Sequence, residues 1–170
     1  MDAHKPGTAV YPGTFDPLTM GHFSLVRRAL KVFPHVIVAV AEQSPKNPLF
    51  SLEERVDMIR EVFQDDDCVS VQPFSGLLVD YVRGSGARVI LRGMRAVSDF
   101  DYEFQLALMN RRLEKDIESV FLMTDFRWLY ISSTIIKELA RDGGDYHGLV
   151  PLAVQNRLER RFGPVRGQGQ

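Results

Sequence analysis

Tyr11-Pro-Gly-Thr-Phe-Asp-Pro-Leu-Thr-Met-Gly-His22 decides the fold of this chain. An apolar run, Ala9-Val10-Tyr11, leads into it and reads as a first strand. Beyond it, Phe23, Val26, Ala29, Leu30 and Phe33 recur at helical spacing. The stretch is therefore a strand-to-helix turn, the place where an open α/β sheet puts its ligand. It is longer than the roughly two to six residues usual for such a turn. Its contents suit an anion. Gly13 and Gly21 allow close backbone approach, and a helix starting near Gly21 offers unpaired N–H groups and a positive dipole end. Thr14, Thr19 and His22 add side-chain donors at the same mouth.

Outward from this turn the strand-then-helix pattern recurs. His35–Ala41 is a near-continuous apolar run, as for a strand covered on both faces. Ser51-Leu-Glu-Glu54 is a capping box opening a helix to about Gln64, with Leu52, Val56, Ile59 and Phe63 on one face. Val69–Phe74 is a third strand, Leu77–Arg83 a short helix, and Val89–Leu91 a fourth strand leading into Arg92-Gly-Met-Arg95. Asp99 to about Lys115 is the longest helix, with Phe100, Phe104 and Leu108 expected inward. Val120–Met123 is a fifth strand. Ser132-Ser-Thr134 starts a helix that Gly143-Gly144 stops. Pro151, expected at the first helical position, begins the last helix, to about Phe162. Residues 1–7 and 163–170 are expected to be flexible ends of a single domain over 8–162. Alternating strands and helices imply a parallel, doubly wound sheet.

The polar residues out of keeping with a core fall after strands: Thr14 and His22, then Lys46, then Ser75–Leu78, then Arg92 and Arg95 with Glu103 in the next helix, then Trp128 to Thr134. Cations, an imidazole and hydroxyls thus converge on one sheet edge of a chain whose net charge is −1. A phosphate-rich ligand explains this. The overall balance excludes a basic nucleic-acid-binding surface. The single cysteine, Cys68, excludes an internal disulfide and a Cys-rich zinc site, and reads as a small buried or edge residue. No apolar run approaches the ~20 residues of a membrane helix, so a cytoplasmic protein is expected. No P-loop and no G-x-S-x-G elbow occurs.

Thr19-Met-Gly-His22 matches the [TH]-x-G-H signature of the nucleotidyltransferase superfamily, and the longer string Tyr11–His22 resembles bacterial phosphopantetheine adenylyltransferases. Pro48–Arg55, Leu91–Glu103 and Ile131–Glu138 resemble that family's other motifs, in order, so the likeness covers about residues 8–162. Met20 stands where the family often has Asn, and Thr124–Trp128 is atypical. The resemblance implies a single-domain α/β, Rossmann-like fold: a doubly wound, five-stranded parallel sheet with C-terminal helices. It implies transfer of adenylyl from ATP to 4′-phosphopantetheine, giving dephospho-coenzyme A and pyrophosphate. Thr14, Lys46, Leu78 and Arg92 would hold 4′-phosphopantetheine. ATP would be held by Thr14, Phe15, His22, Gly93, Met94, Arg95, Glu103, Trp128, Leu129, Tyr130, Ile131, Ser132, Ser133 and Thr134. His22 would stabilise the transition state, with Thr14, Lys46 and Arg95 completing the catalytic set. Mg²⁺ is implied as a bridge held by ATP phosphates and water, with no protein side chain as ligand. The family also implies a homohexamer and feedback inhibition by coenzyme A. A sister nucleotidyltransferase using nicotinate mononucleotide, and a non-catalytic adenine-nucleotide sensor, stand as the alternatives.

Overall fold

The computed structural model describes residues 7–43, 47–95 and 97–165. Lys46 and residues 1–6 and 166–170 of the two expected flexible ends lie outside the described residues. Five parallel strands, β1 (Thr8–Gly13), β2 (His35–Ala41), β3 (Val69–Phe74), β4 (Val89–Met94) and β5 (Glu118–Met123), form one sheet in the order β3-β2-β1-β4-β5. The helices are α1 (Met20–Ala29), α2 (Leu52–Val62), α3 (Leu78–Gly84), α4 (Val97–Leu113), α5 (Ser133–Asp142) and α6 (Leu152–Phe162), with a 3₁₀ turn at Phe126–Trp128. This is the expected doubly wound sheet, and its strand order reverses between β1 and β4.

The strands are apolar on both faces because both are covered. Ala9, Tyr11, Val36, Val38 and Val40 point into one core, where they meet Val26 of α1, Ile59 of α2, Ile136 of α5 and Leu158 of α6. Val10, Ile37, Ala39 and Ile90 point into the other, with Val79 and Val82 of α3. Each fully buried aliphatic side chain of this kind contributes about 1.5–3 kcal/mol. The chain stays packed past α6: Val165 is buried in the larger core, two residues beyond the expected start of the tail.

One irregularity opens the site. β1 runs alongside β2 for its whole length, from Thr8 opposite His35 to Gly13 opposite Val40. Against β4 it pairs only at Ala9 opposite Val89 and Val10 opposite Ile90. Past those residues the two central strands part, and a cleft forms between their carboxyl ends.

Three local expectations are corrected. Arg92, Gly93 and Met94 do not follow the fourth strand but extend it, because β5 continues to pair with them as far as Met123. Pro151 is the N-cap of α6 rather than its first helical residue, its ψ of 155° being extended. Phe100, Phe104 and Leu108 are not inward: they are 46%, 47% and 54% exposed. Apolar spacing marks the face of α4 that avoids water, but a single chain has nothing to lay over it. Cys68, exposed in the turn before edge strand β3, follows the edge alternative of its reading and not the buried one.

Candidate active site

The cleft between the diverging ends of β1 and β4 has a volume of about 510 Å³. The turn after β1 supplies one wall and β4 another, while α5 closes the end with Ser132, Ser133 and Thr134. Two helices, α1 and α5, point their N-termini into it. Neither carries an acidic residue in its first turn. By contrast α2, which starts away from the cleft, carries Glu53 and Glu54 there. Two uncompensated positive dipole ends and their N–H groups favour a multiply charged anion.

The motif Thr19-x-x-His22 is a capping box in which His22 takes the third helical position, usually held by Glu or Gln. The backbone N–H of Thr19 donates to His22 Nδ1 at 3.0 Å, and the His22 N–H donates back to Thr19 Oγ1 at 3.4 Å. A ring nitrogen that accepts from a backbone N–H carries no proton, so the imidazole proton sits on Nε2. Among the described residues Nε2 has no hydrogen-bond partner, and His22 lines the cleft. Burial, with the positive charge of Arg95 adding to it, lowers the imidazole to about 4. Near neutral pH the ring is therefore uncharged and is a donor through Nε2. Phe15 fixes its lean: the two rings meet edge to face at 5.2 Å, and Phe15 itself is held at a φ of 48°, a left-handed backbone unusual for an aromatic residue.

Cations sit opposite. Arg92 on β4 forms a two-point pair with Glu103 of α4, Nε to Oε2 at 2.7 Å and Nη2 to Oε1 at 2.5 Å. Arg95 is exposed at the mouth, its Nε 3.5 Å from Asp99. Ser132 caps α5 by accepting from the Ile135 N–H at 3.2 Å. The Ser133 hydroxyl donates to the Pro17 carbonyl at 2.8 Å, tying the start of α5 to the turn that carries His22.

Thr14, Phe15, His22, Leu78, Arg92, Gly93, Arg95, Glu103, Trp128, Ile131, Ser132, Ser133 and Thr134 thus line one cleft, as the sequence reading requires. Met94, Leu129 and Tyr130 do not line it, and Leu129 and Tyr130 are exposed. Thr19, expected at the mouth as a donor, is buried and spends its side chain on the cap.

Two residues behind the cleft lie in stretches that the sequence reading quotes but gives no role. Asp16 is buried, and accepts from the N–H groups of Leu49 at 2.8 Å and Phe50 at 2.9 Å and from Lys137 Nζ at 3.0 Å. The carboxylate of the opening motif is therefore an anchor and does not face the ligand. Arg55 is fully buried and, among the described residues, donates to the backbone carbonyls of Phe50, Thr14 and Ala41. An arginine within an otherwise ordinary capping-box helix reads from sequence as a solvated residue. Among the described residues no group of three or more His, Cys, Asp or Glu side chains could hold a metal ion.

The cytidylyltransferase-like family model matches residues 10–139, which contain the cleft-lining residues. A phosphopantetheine adenylyltransferase of Solidesulfovibrio magneticus is 61% identical over 170 residues, covering all of this chain and 99% of that protein. One of Nitratidesulfovibrio vulgaris strain DP4 is 64% identical over 163 residues, covering 96% of this chain and 88% of that protein. A phosphopantetheine adenylyltransferase of Lawsonia intracellularis is 57% identical over 162 residues, covering 95% and 94% of the two chains.

Proposed function

This chain belongs to the phosphopantetheine adenylyltransferase family, with the cytidylyltransferase-like domain, and on that premise we propose how its cleft performs the family's reaction. It is a nucleotidyltransferase of coenzyme A biosynthesis, moving adenylyl from ATP to 4′-phosphopantetheine. A phosphate oxygen of 4′-phosphopantetheine attacks the α-phosphorus of ATP, the bond to the β-phosphate breaks, and pyrophosphate leaves with the electron pair. The products are dephospho-coenzyme A and pyrophosphate.

The observation that carries this mechanism is the tautomer of His22. With Nδ1 held by the cap, the Nε2 proton stands at a helix N-terminus inside the cleft. As negative charge builds on the α-phosphate oxygens, that donor strengthens without reorganising, which is the economy of an oxyanion hole. Thr14 orients the attacking phosphate. Lys46 and Arg92 neutralise it; Glu103 holds Nε and Nη2 of Arg92, leaving Nη1 for the ligand. Arg95 and the N-terminus of α5, with Ser132 to Thr134, receive the departing phosphates. Reactions of this class ask the protein for position and charge more than covalent help.

The cleft's donors are hydroxyl and carboxylate oxygens, hard ligands of the kind Mg²⁺ takes, and its carboxylate, Glu103, is committed to Arg92. Mg²⁺ would be held chiefly by the ATP phosphates and water, and when bound supplies charge neutralisation of the triphosphate. Among the described residues no helix is long and apolar enough to cross a membrane. Membership of a coenzyme A biosynthetic family supports a cytoplasmic enzyme. Phe100, Phe104, Leu108 and Met109 leave one side of α4 bare, and Met123, Phe126 and Tyr130 are exposed as well. A face this apolar on one chain supports assembly with further copies, as the homohexamer. Feedback by coenzyme A follows from the same cleft, since its pantetheine phosphate and adenine resemble parts of both substrates.

Pyrophosphate release from ATP and Mg²⁺, with 4′-phosphopantetheine or nicotinate mononucleotide as acceptor, tests the reading. Release with phosphopantetheine alone is expected. Release with neither, while ATP still binds, would point to a sensing module instead.

A further inference from the structure

Arg55 lies on the first turn of α2, 1% exposed, with no side-chain hydrogen-bond partner among the described residues. Its Nε donates to the Phe50 carbonyl at 3.2 Å, and its Nη1 donates to those of Thr14 at 2.7 Å and Ala41 at 2.9 Å. Burying a guanidinium is costly, and a long apolar side chain would fill the same space without that cost. What the guanidinium adds is geometry. Its three acceptors come from three separate places: the turn after β1, the end of β2, and the entry to α2.

Asp16 makes the complementary connection. At 4% exposure, its Oδ2 and Oδ1 accept from Leu49 and Phe50, the residues just before α2. Together the pair fixes Thr14 relative to both ends of the connection between β2 and α2. A planar fork sets angles as well as distances, which a lysine ammonium does not. The far side of the cleft is tied differently. Ser133 reaches Pro17 and Ser132 caps α5, and neither bond passes through Arg55. Lys137 of α5, which pairs with the Asp16 carboxylate at 3.0 Å, joins the two systems.

We propose that Arg55 is a positioning residue that sets the acceptor-phosphate side of the cleft through the Thr14 and Ala41 carbonyls, and that Asp16 links this setting to α5. This rests on the adenylyl-transfer reading above. The two residues differ in consequence. Loss of the Arg55 fork falls chiefly on the acceptor, because Thr14, though shared with ATP, is the group that orients the attacking phosphate; loss of the Asp16 charge falls on both substrates.

The test uses the full chain as wild type, Arg55→Lys, Arg55→Met and Asp16→Asn. For each, KM for both substrates and kcat are measured, together with thermal midpoint and ATP binding followed by the fluorescence of Trp128, the chain's single tryptophan. Arg55→Lys and Arg55→Met should raise KM for 4′-phosphopantetheine roughly 10- to 100-fold, the scale of misplacing a reactant by about an ångström. KM and binding for ATP should stay within about threefold. Asp16→Asn should raise both KM values. Loss spread equally over both substrates in the Arg55 variants, or loss that tracks the folded fraction alone, would make Arg55 a folding brace and overturn the proposal. Should Arg55→Met fail to fold, Arg55→Lys and Asp16→Asn carry the test; if none of the three folds, the positioning role is overturned. A wild type that releases no pyrophosphate defeats the functional reading and this proposal together. An active wild type with uniform losses defeats only this one.

Discussion

Gly93 of β4 lies so close to Leu25 of α1 that a Cβ on Gly93 would fall 2.4 Å from the Leu25 Cδ1. Leu25 is buried one turn after His22, so this contact sets how near the helix carrying His22 lies to the sheet. Gly93→Ala must displace the buried Leu25 side chain and so press on α1. We expect it to lower stability by about 1–3 kcal/mol, as overpacking does, and to lower kcat as well. Denaturant unfolding and steady-state kinetics check both, and adding Leu25→Val should restore part of each. A Gly93→Ala enzyme of normal stability would contradict the contact.

His22→Ala removes the Nε2 donor. Turnover should fall by about 100-fold or more, the usual loss for one oxyanion donor, with modest change in ATP affinity. Turnover near that of the wild type would remove His22 from the mechanism.

The titration of His22 has a definite sign. Its value in the folded chain, about 4, lies below the ordinary 6.5. The unfolded chain therefore takes up this proton first as pH falls, and the stability attached to the neutral ring is fully present above about 6.5 and is lost progressively towards 4. Nitrogen NMR of the ligand-free protein should show a neutral ring protonated on Nε2 at pH 6. Replacing His22 with Asn should flatten the dependence of stability on pH between those limits. A ring already half protonated near 6.5 would refute it.

Lys46→Ala should raise KM for 4′-phosphopantetheine by roughly tenfold or more while leaving that for ATP nearly unchanged, a loss of binding to one substrate. Initial-rate measurements with each substrate varied in turn decide this. A defect confined to ATP would contradict its placement on the acceptor side.

Phe104→Glu or Leu108→Glu, on the bare side of α4, should dissociate the assembly, because a charge in an apolar interface loses its water without gaining a partner. Sedimentation velocity should show the wild type as a hexamer and the variants as smaller species. A wild type that sediments as a single chain would remove the homohexamer.

Much of this arrangement could be read from the chain because two kinds of local pattern agree. Apolar runs such as Val36–Val40 mark strands covered on both faces, and Ser51 with Glu54 marks a helix start, which the structure forms with bonds of 3.2 and 2.8 Å. Polar residues just after strands mark the cleft, since strand ends are where a parallel sheet leaves room. What escaped reading depends on partners far away in sequence. Arg55 and Asp16 look solvated until the turns at Thr14, Ala41 and Leu49 close around them. Phe100 and Phe104 look like core residues because spacing records a dislike of water, not the identity of the covering surface. His22 reads from the sequence as a donor at the mouth of the turn, without showing which ring nitrogen donates. Only the folded cap shows that one ring nitrogen is occupied so that the other is left with the proton.

The early parting of β1 and β4 has a consequence for how the enzyme recognises its ligands. A parallel sheet normally satisfies the peptide groups of its central strands from both sides, but beyond Val10 and Ile90 each of these strands keeps only its outer neighbour. The inner edges of Tyr11–Gly13 and Leu91–Met94 therefore face each other across the gap with no strand pairing between them among the described residues. A nucleotide lying between them would occupy the position of missing sheet. Part of its recognition would then be written in main chain, beyond the reach of side-chain substitution.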